Sequence, residues 1–259
     1  MSIRDEAAIA NERMWDEEGR QGGGYTQPWL DLDVDFLREC AFGKCEEMPS
    51  PLDALHPPCL LADVDGKDVL CLASGGGQQS AVFSLLGARV TVVDLSSGQL
   101  EGDRTAAAHY GYEVRILHGD MRILGALDDN SFDLIHQPES MCYMPDVAKV
   151  FAEAARVLKP GGLYRVTLMS PALFSVEWDG EKYYLATPHS ERVHHRDDGG
   201  IEYRHTMADI FNALVNSGLS LERVHDRPHP PENLSTPLGT WSHQSAYMGG
   251  AFIIVARKG

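Results

Sequence analysis

Short apolar runs and amphipathic stretches alternate through the middle of the chain. Residues 69–73 form a continuous apolar run, which is typical of a buried parallel strand, and we predict further strands over residues 90–94, 114–118, 132–136 and 163–168. Helices are predicted between them, over residues 79–86, 97–110 and 146–158. This order indicates βαβ units, and therefore an α/β domain with helices on both faces of a parallel sheet.

The first 60 residues have a different pattern. A polar amphipathic segment covers residues 1–18, and a second helix is expected over residues 33–42. A run of three glycines and an aromatic stretch separate the two, and proline pairs bound a short third helix. We therefore predict an N-terminal helical cap over residues 1–60 and a main domain over residues 61–259.

The regular alternation ends after residue 170. Two β-hairpins are predicted within an insertion at about residues 171–205, the second turning at residues 197–200. An amphipathic helix and two further strands follow, at residues 207–217, 219–224 and 251–256. The stretch 227–247 is rich in Pro, Ser and His and is longer than a plain connection, so we expect it to act as a lid.

A glycine cluster with the sequence Ala-Ser-Gly-Gly-Gly, residues 73–77, joins the first predicted strand to the first predicted helix. Glycines let a backbone approach a ligand closely, and the free N–H groups at a helix N-terminus attract phosphate or carboxylate groups. Asp94 ends the next strand, where a carboxylate can accept both hydroxyls of a ribose. The cluster and the acid together predict a nucleotide site.

Five segments resemble, in order and spacing, the motifs of class I S-adenosylmethionine-dependent methyltransferases. They are residues 69–77, Asp94, residues 118–121 (His-Gly-Asp-Met), residues 132–135 and residues 157–162 (Val-Leu-Lys-Pro-Gly-Gly). The resemblance implies a Rossmann-like fold with a seven-stranded, mostly parallel sheet whose last strand is antiparallel, and S-adenosylmethionine as cofactor. The first motif departs from the family pattern, because Cys71 stands at its acidic position and Ala73 at its first glycine.

The resemblance also implies which residues contact the cofactor. The glycine turn would line the methionine and ribose, Asp94 would bind the ribose hydroxyls, and Asp120 would face the adenine amine. Trp29 is added because aromatic faces attract sulfonium groups. The expected cofactor contacts are Ala73, Ser74, Gly75, Gly77, Gln78, Asp94, Leu95, Ser96, Asp120, Met121, Gln137 and Trp29.

Methyl transfer is an in-line displacement, so the enzyme must hold a nucleophile about 3–3.5 Å from the methyl carbon. A base is needed only where that nucleophile carries a proton. His136, at the end of the fourth strand, is a candidate for this base, and Glu139 just after it could act as base or bind a cationic acceptor. His205, just before the last helix, is a third catalytic candidate that could enter the pocket. Tyr25, in the cap, is expected to face the methyl group.

The net charge of −16 would repel a nucleic-acid backbone, so we expect a small-molecule acceptor. The chain has no apolar run long enough for a membrane span, and its start lacks a signal-peptide pattern, which together predict a cytoplasmic protein. The late histidines form no obvious ligand set, so no metal is expected. The acceptor atom and the oligomeric state stay open.

Five cysteines in a chain without a signal peptide predict reduced thiols. Reduced thiols leave open the alternative of a thiol or metalloid methyltransferase, because soft thiolates bind arsenite or mercury. That alternative would use Cys40, Cys45, Cys59 and Cys142 beside the cap. A third possibility is a cofactor-binding or regulatory protein that keeps the fold without the chemistry, since the first motif is irregular.

Overall fold

The computed structural model describes residues 5–45, 48–227 and 231–259. Its α-helices are α1 (Glu6–Gln21), α2 (Val34–Glu39), α3 (Gln79–Leu85), α4 (Ser97–Tyr110), α5 (Val147–Val157), α6 (Met207–Asn216) and α7 (Trp241–Met248). Its strands are β1 (Asp68–Leu72), β2 (Arg89–Asp94), β3 (Val114–His118), β4 (Phe132–Gln137), β5 (Leu158–Met169), β6 (Val176–Trp178), β7 (Tyr183–Leu185), β8 (Val193–His195), β9 (Ile201–Tyr203), β10 (Leu219–Asp226) and β11 (Ala251–Lys258).

Seven strands form one sheet in the order β3-β2-β1-β4-β5-β11-β10. The first five strands pair parallel, and β11 runs antiparallel to both β5 and β10, so the predicted sheet is confirmed. One boundary differs from the prediction. β5 begins at Leu158 because that residue pairs with Phe132, which places the predicted Lys-Pro-Gly-Gly turn inside the strand beside a register shift.

Neighbouring residues of β1 enter two different cores, because successive side chains of a strand point to opposite faces. Leu70 and Leu72 pack in a cluster with helices α5 and α6. Val69 and Cys71 pack on the other face, in a cluster with α3 and α4. The second cluster includes Leu37, Cys40 and Leu55, so the predicted cap shares a core with the sheet.

Helix α1 lies across the carboxyl-terminal side of the sheet and is tied to the hairpin of β8 and β9 by Asn11. This side chain is 1% exposed. Its Nδ2 donates to the carbonyl of Ile201 at 3.0 Å, and its Oδ1 accepts from the N–H of Ile201 at 2.8 Å. A third bond reaches the carbonyl of Tyr143 at 3.3 Å. One side chain therefore joins α1, β9 and the segment after β4.

Replacing Asn11 with alanine is expected to lower the free energy of unfolding by about 2–4 kcal/mol. The change leaves both backbone groups of Ile201 without their partners, and each buried polar group without a bond costs about 1–3 kcal/mol. Urea denaturation followed by circular dichroism measures the change. Asn212→Ala, at an exposed position of α6, is the matched control and should alter stability by less than about 0.5 kcal/mol. Equal losses in the two variants would contradict the bridging role.

The helix predicted over residues 33–42 is shorter and irregular. α2 ends at Glu39 and continues as a single wider turn over Cys40–Lys44, in which Gly43 has φ 86°. This turn brings Cys40 and Cys45 together in a disulfide. The prediction that all five cysteines are reduced is therefore wrong for this pair, because the turn places two thiols five residues apart within bonding reach.

The insertion contains the two predicted hairpins, β6 with β7 and β8 with β9. The stretch predicted as a lid contains a short turn of 3-10 helix at Pro231–Ser235 and the helix α7; its residues 228–230 lie outside the described residues. The hairpin of β6 and β7 holds this stretch through Tyr183, whose hydroxyl accepts from the N–H of Gly239 at 3.0 Å and lies 2.7 Å from Nδ1 of His243. Among the residues described, no helix has the length and apolarity to cross a membrane.

Candidate active site at the carboxyl ends of the strands

The glycine turn after β1 is packed so closely that side chains are excluded from it. A Cβ on Gly75 would lie 2.6 Å from Cβ of Gln99 and 3.1 Å from Cγ of Asp94. Gly77 has φ 72° and faces the backbone of Gly102 on α4. Ala73, where the family pattern has glycine, adopts φ 47° and donates its N–H to Val93 at 2.7 Å. The alanine therefore adopts the left-handed conformation that glycine usually supplies.

Asp94 is fixed at the edge of this turn. Its Oδ2 accepts from the N–H of Gly75 at 2.8 Å, and its Oδ1 accepts from the N–H of Ser96 at 2.9 Å. Burial raises the pKa of the carboxyl, and these backbone donors oppose the rise. Each oxygen keeps a lone pair for a further donor, so the carboxylate is held in place to accept hydroxyl groups.

A small cavity opens beside Asp94. It is lined by Ala73, Val93, Asp94, Leu95, Gly119, Asp120, Met121 and Met144. Five of the predicted cofactor contacts therefore meet at one place, with apolar walls from Val93, Met121 and Met144. A carboxylate beside apolar walls is the chemistry that recognises a ribose joined to a flat base.

The carboxylate of Asp120 is already bound by a residue that the sequence did not single out. Arg122 donates from Nε to both oxygens of Asp120, at 3.0 and 3.1 Å, and from Nη2 to Oδ2 at 2.5 Å. The same guanidinium reaches Asp5 at the start of α1, at 2.5 Å. The acid predicted to face the adenine amine thus also anchors α1 over the cavity.

Two more contacts hold α1 over this edge of the sheet. Asp16 accepts from the hydroxyl of Ser96 at 2.6 Å and from the N–H of Gly98 at 2.9 Å. Glu12 lies 3.2 Å from Nε2 of His118. Helix α1 therefore covers β2, β3 and the start of α4, where the nucleoside is expected.

Three other predicted cofactor contacts, Ser74, Gln78 and Gln137, form hydrogen bonds to neighbouring protein groups. Ser74 donates to Gln79 at 2.9 Å, and Gln78 donates to the carbonyls of Gly24 and Gln27 in the cap. Gln137 is fully buried below Met121, accepts from the hydroxyl of Tyr164 and donates to Ser140 at 2.9 Å. These side chains have their polar groups paired within the protein.

The two aromatic residues predicted to face the methyl group lie in the cap beside the glycine turn. The ring of Trp29 packs against the core of the α3 face, and the backbone N–H of Trp29 donates to the carbonyl of Gly77 at 3.2 Å. Tyr25 is 71% exposed, and its carbonyl lies near Gly76. The backbone of this segment, more than its rings, contacts the turn.

The three candidate bases have different environments. His136 is 2% exposed, and its ring lies 5.4 Å from that of Phe83. Burial lowers its pKa, so it is neutral. Its Nε2 is buried and has no hydrogen-bond partner among the residues that the structure describes. His205 is half-buried, its Nε2 lies 2.8 Å from the carbonyl of Met144, and burial lowers its pKa. Glu139 is 26% exposed, lies 3.7 Å from Arg227, and burial raises its pKa to about 7.

A buried arginine that the sequence did not reveal supports the end of β4. Arg165 on β5 is 1% exposed and donates to the carbonyls of Ala54, His56 and Gln137 at 2.9–3.2 Å. Burial lowers its pKa to about 9. It attaches the segment before β1 to the strands that end at the site. Its place between Tyr164 and Val166 in a predicted strand carries no sequence signal for such a role.

The cysteines do not assemble as metalloid methylation would require. Cys40 and Cys45 are bonded to each other, Cys59 is exposed, and Cys142 is buried, which raises the pKa of its thiol. Residues 5–45, 48–227 and 231–259 hold no group of three His, Cys, Asp or Glu side chains that could bind a metal. The structure therefore contradicts a shared thiolate site at the cap.

Comparisons with known proteins identify the family of this chain. Residues 70–166 match the family described as a methyltransferase domain. The chain is 31% identical to a ubiquinone biosynthesis O-methyltransferase of Xanthomonas euvesicatoria pv. vesicatoria over 188 residues, covering 70% of this chain and 76% of that one. It is 28% identical to the uncharacterized methyltransferase YbaJ of Bacillus subtilis, covering 80% and 86%.

A solved structure extends the similarity to the whole fold. The 1,6-didemethyltoxoflavin-N1-methyltransferase of Burkholderia thailandensis, with 1,6-didemethyltoxoflavin and S-adenosylhomocysteine bound, superposes with a TM-score of 0.61 at 17% identity. The match covers all of this chain and 91% of that one.

Proposed function

This chain belongs to the class I S-adenosylmethionine-dependent methyltransferases, and we propose that its acceptor is a small organic molecule that loses a proton to Glu139. S-adenosylmethionine supplies an electrophilic methyl group on a sulfonium. The protein must hold the acceptor in line with that group, exclude water, and accept a proton where the acceptor carries one.

We assign the cofactor to the cavity beside Asp94. Asp94 would accept the ribose hydroxyls, and Leu95, Met121 and Met144 would enclose the base. The backbone N–H and C=O groups of residues 73–77 would hold the methionine end. The side chains of Ser74, Gln78 and Gln137 then act by shaping the turn and the strand ends, because their own polar groups are already paired.

The observation that carries the acceptor proposal is the environment of Glu139. Its carboxyl follows β4, is mostly buried and has a single weak ion pair at 3.7 Å. Burial and the nearby charge of Glu202 raise its pKa to about 7, while Arg227 opposes the rise. A general base works best when its pKa is close to the working pH, so this carboxyl can take a proton at neutrality. His136 is buried against Phe83 and His205 faces a carbonyl, which makes Glu139 the favoured candidate of the three.

A covered active site favours a small acceptor over a polymer. Helix α1 of the cap, the hairpin of β8 and β9 and residues 231–247 of the predicted lid would close the site from above. Trp15 of α1 and Tyr143, which follows β4, pack edge to face with their ring centroids 5.7 Å apart. Glu202 of β9 pairs with Arg196 of the same hairpin at 2.6 Å. The net charge of −16 opposes a polyanion. One relative is named a ubiquinone biosynthesis O-methyltransferase, and one structural neighbour is a methyltransferase with 1,6-didemethyltoxoflavin bound, which supports a small-molecule acceptor here.

A screen with S-adenosylmethionine labelled in its methyl group tests this proposal. Phenols, ring N–H compounds and small amines are offered in parallel with DNA, RNA and unfolded protein, and label transfer is counted. We expect transfer to a member of the small-molecule set and none to the polymers. Transfer to a polymer alone would refute the proposal.

The rate should depend on pH with a sign set by Glu139. A base acts in its ionised form, so kcat with a protonated acceptor is expected to rise with pH and level off above about 7. The lowered pKa of His136 keeps that residue neutral across this range, so it adds no inflection. A profile of kcat from pH 5.5 to 9 measures this. A rate that falls as pH rises through 7 would contradict a carboxylate base.

A further inference from the structure

The irregular first motif raises the question of what holds the glycine turn. Cys71 stands at the position of the expected acid, and it is fully buried on β1. Burial raises the pKa of its thiol, so the side chain is neutral and offers only a weak acceptor. The turn therefore lacks its carboxylate from β1.

A carboxylate reaches the turn from a different element. Asp103 lies on α4 and is 0% exposed. Its Oδ2 accepts from the N–H of Gly76 at 3.2 Å, and its Oδ1 accepts from the hydroxyl of Ser80 in the first turn of α3. One side chain thus joins α4 to the glycine turn and to the helix that follows it.

The close packing of α4 makes this reach possible. A Cβ on Gly102 would lie 2.6 Å from the carbonyl carbon of Gly76, so the helix backbone touches the turn directly. Gly76 also donates its N–H to the carbonyl of Gln99 at 2.9 Å, one turn earlier on α4. Residue 103 is therefore the position from which a short acidic side chain can enter beneath the turn.

Ionised Asp103 costs free energy, because a buried carboxylate is unfavourable unless it is paired. The carboxylate of Asp103 accepts from the hydroxyl of Ser80 and from backbone N–H groups of Gly76 and Gly77, and the nearby charge of Asp94 works against its ionisation. Burial raises its pKa to about 7. A cofactor that carries a positive sulfonium and an ammonium group would offset this cost when bound above the turn.

We propose that Asp103 is the positioning residue of the cofactor site and replaces, from α4, the acid that Cys71 cannot supply from β1. It fixes the direction of the N–H groups of the turn and places negative charge beneath the methionine end of the cofactor. The inference depends on the identity of the cofactor and not on that of the acceptor.

Titration calorimetry with S-adenosylhomocysteine tests this role on the intact protein. Asp103→Asn is expected to raise Kd at least tenfold, and Ser80→Ala, which removes one anchor of the carboxylate, about threefold. Glu153→Gln is the control, because Glu153 bonds Leu124 and Arg156, away from the turn. This control should lower thermal stability and leave Kd within twofold.

A rescue experiment separates positioning from general stability. Cys71→Asp should lower Kd at least fivefold when added to Asp103→Ala, because the carboxylate returns to the turn from β1. In the wild-type background the same change should raise Kd, since two carboxylates would then repel each other. An Asp103→Asn protein that binds within twofold of wild type would overturn the proposal, as would a Ser80→Ala protein with unchanged Kd. Failure of Cys71→Asp to rescue would also overturn it.

Discussion

Glu139→Gln is expected to lower kcat about 100- to 1,000-fold with a protonated acceptor, while Kd for S-adenosylhomocysteine stays within twofold. General-base catalysis contributes about 10²–10⁴ to a rate, and glutamine keeps the shape of glutamate without its basicity. The variant should also lose the rise of kcat through pH 7. Steady-state kinetics and calorimetry on the same preparation measure the two quantities.

Two comparisons make this result specific. Glu177→Gln makes the same chemical change on the exposed face of β6 and should leave kcat unchanged. An acceptor whose nucleophile carries no proton at neutral pH should be methylated by Glu139→Gln at nearly the wild-type rate. An equal loss with both kinds of acceptor would assign Glu139 to binding, and an unchanged kcat with both would exclude it as the base.

Asp94→Asn is expected to weaken the binding of S-adenosylhomocysteine about 30- to 150-fold. A hydrogen bond to a charged group contributes about 1.5–3 kcal/mol, and the ribose would lose its charged acceptor while the turn loses the bond from Gly75. Calorimetry measures the change in Kd. kcat at saturating cofactor should fall far less than the affinity.

The control for Asp94 is Asp63→Asn, where the carboxylate is 90% exposed and pairs only with Lys67. Its Kd should match that of wild type, because surface ion pairs contribute little. A Kd for Asp94→Asn within threefold of wild type would place the ribose elsewhere. Since Asp103 lies beneath the turn and Asp94 at its edge, their variants should be separable by an adenosine titration, which only Asp94→Asn should impair strongly.

The sheet and the glycine turn were predictable because they depend on local signals. The alternation of apolar and amphipathic segments predicts the βαβ units, the resemblance of the motifs implies the sheet topology, and the acid at the end of β2 marks the edge of the cavity. The disulfide of Cys40 and Cys45 was not predictable, because it depends on a turn that packs against a distant segment, Pro58–Leu61. The start of β5 was misplaced because strand pairing, not the Pro-Gly-Gly sequence, decides it.

The parts of the site that the sequence did not reveal are contacts between distant segments. Arg122 lies two residues from Asp120, yet its second partner is Asp5, 117 residues away. Asp103 looks like any polar residue of an amphipathic helix, and only the touching backbones of α4 and the glycine turn bring it to Gly76. A prediction from motifs finds the residues that contact a cofactor more readily than those that hold the contacts in place.

Folding changes which of the ionisable side chains around the site carry a proton. Asp103 and Glu139 have pKa values raised to about 7, so they keep protons in the folded state that the unfolded chain releases near pH 4. This contribution makes the protein less stable as pH rises from about 4 to 7. His136, His205 and His225 have lowered pKa values, so they give up protons on folding, and their contribution rises with pH up to about 6.5. Between pH 5 and 6.5 folding therefore moves protons from imidazoles to carboxyls, and the two opposing slopes flatten the dependence of stability on pH.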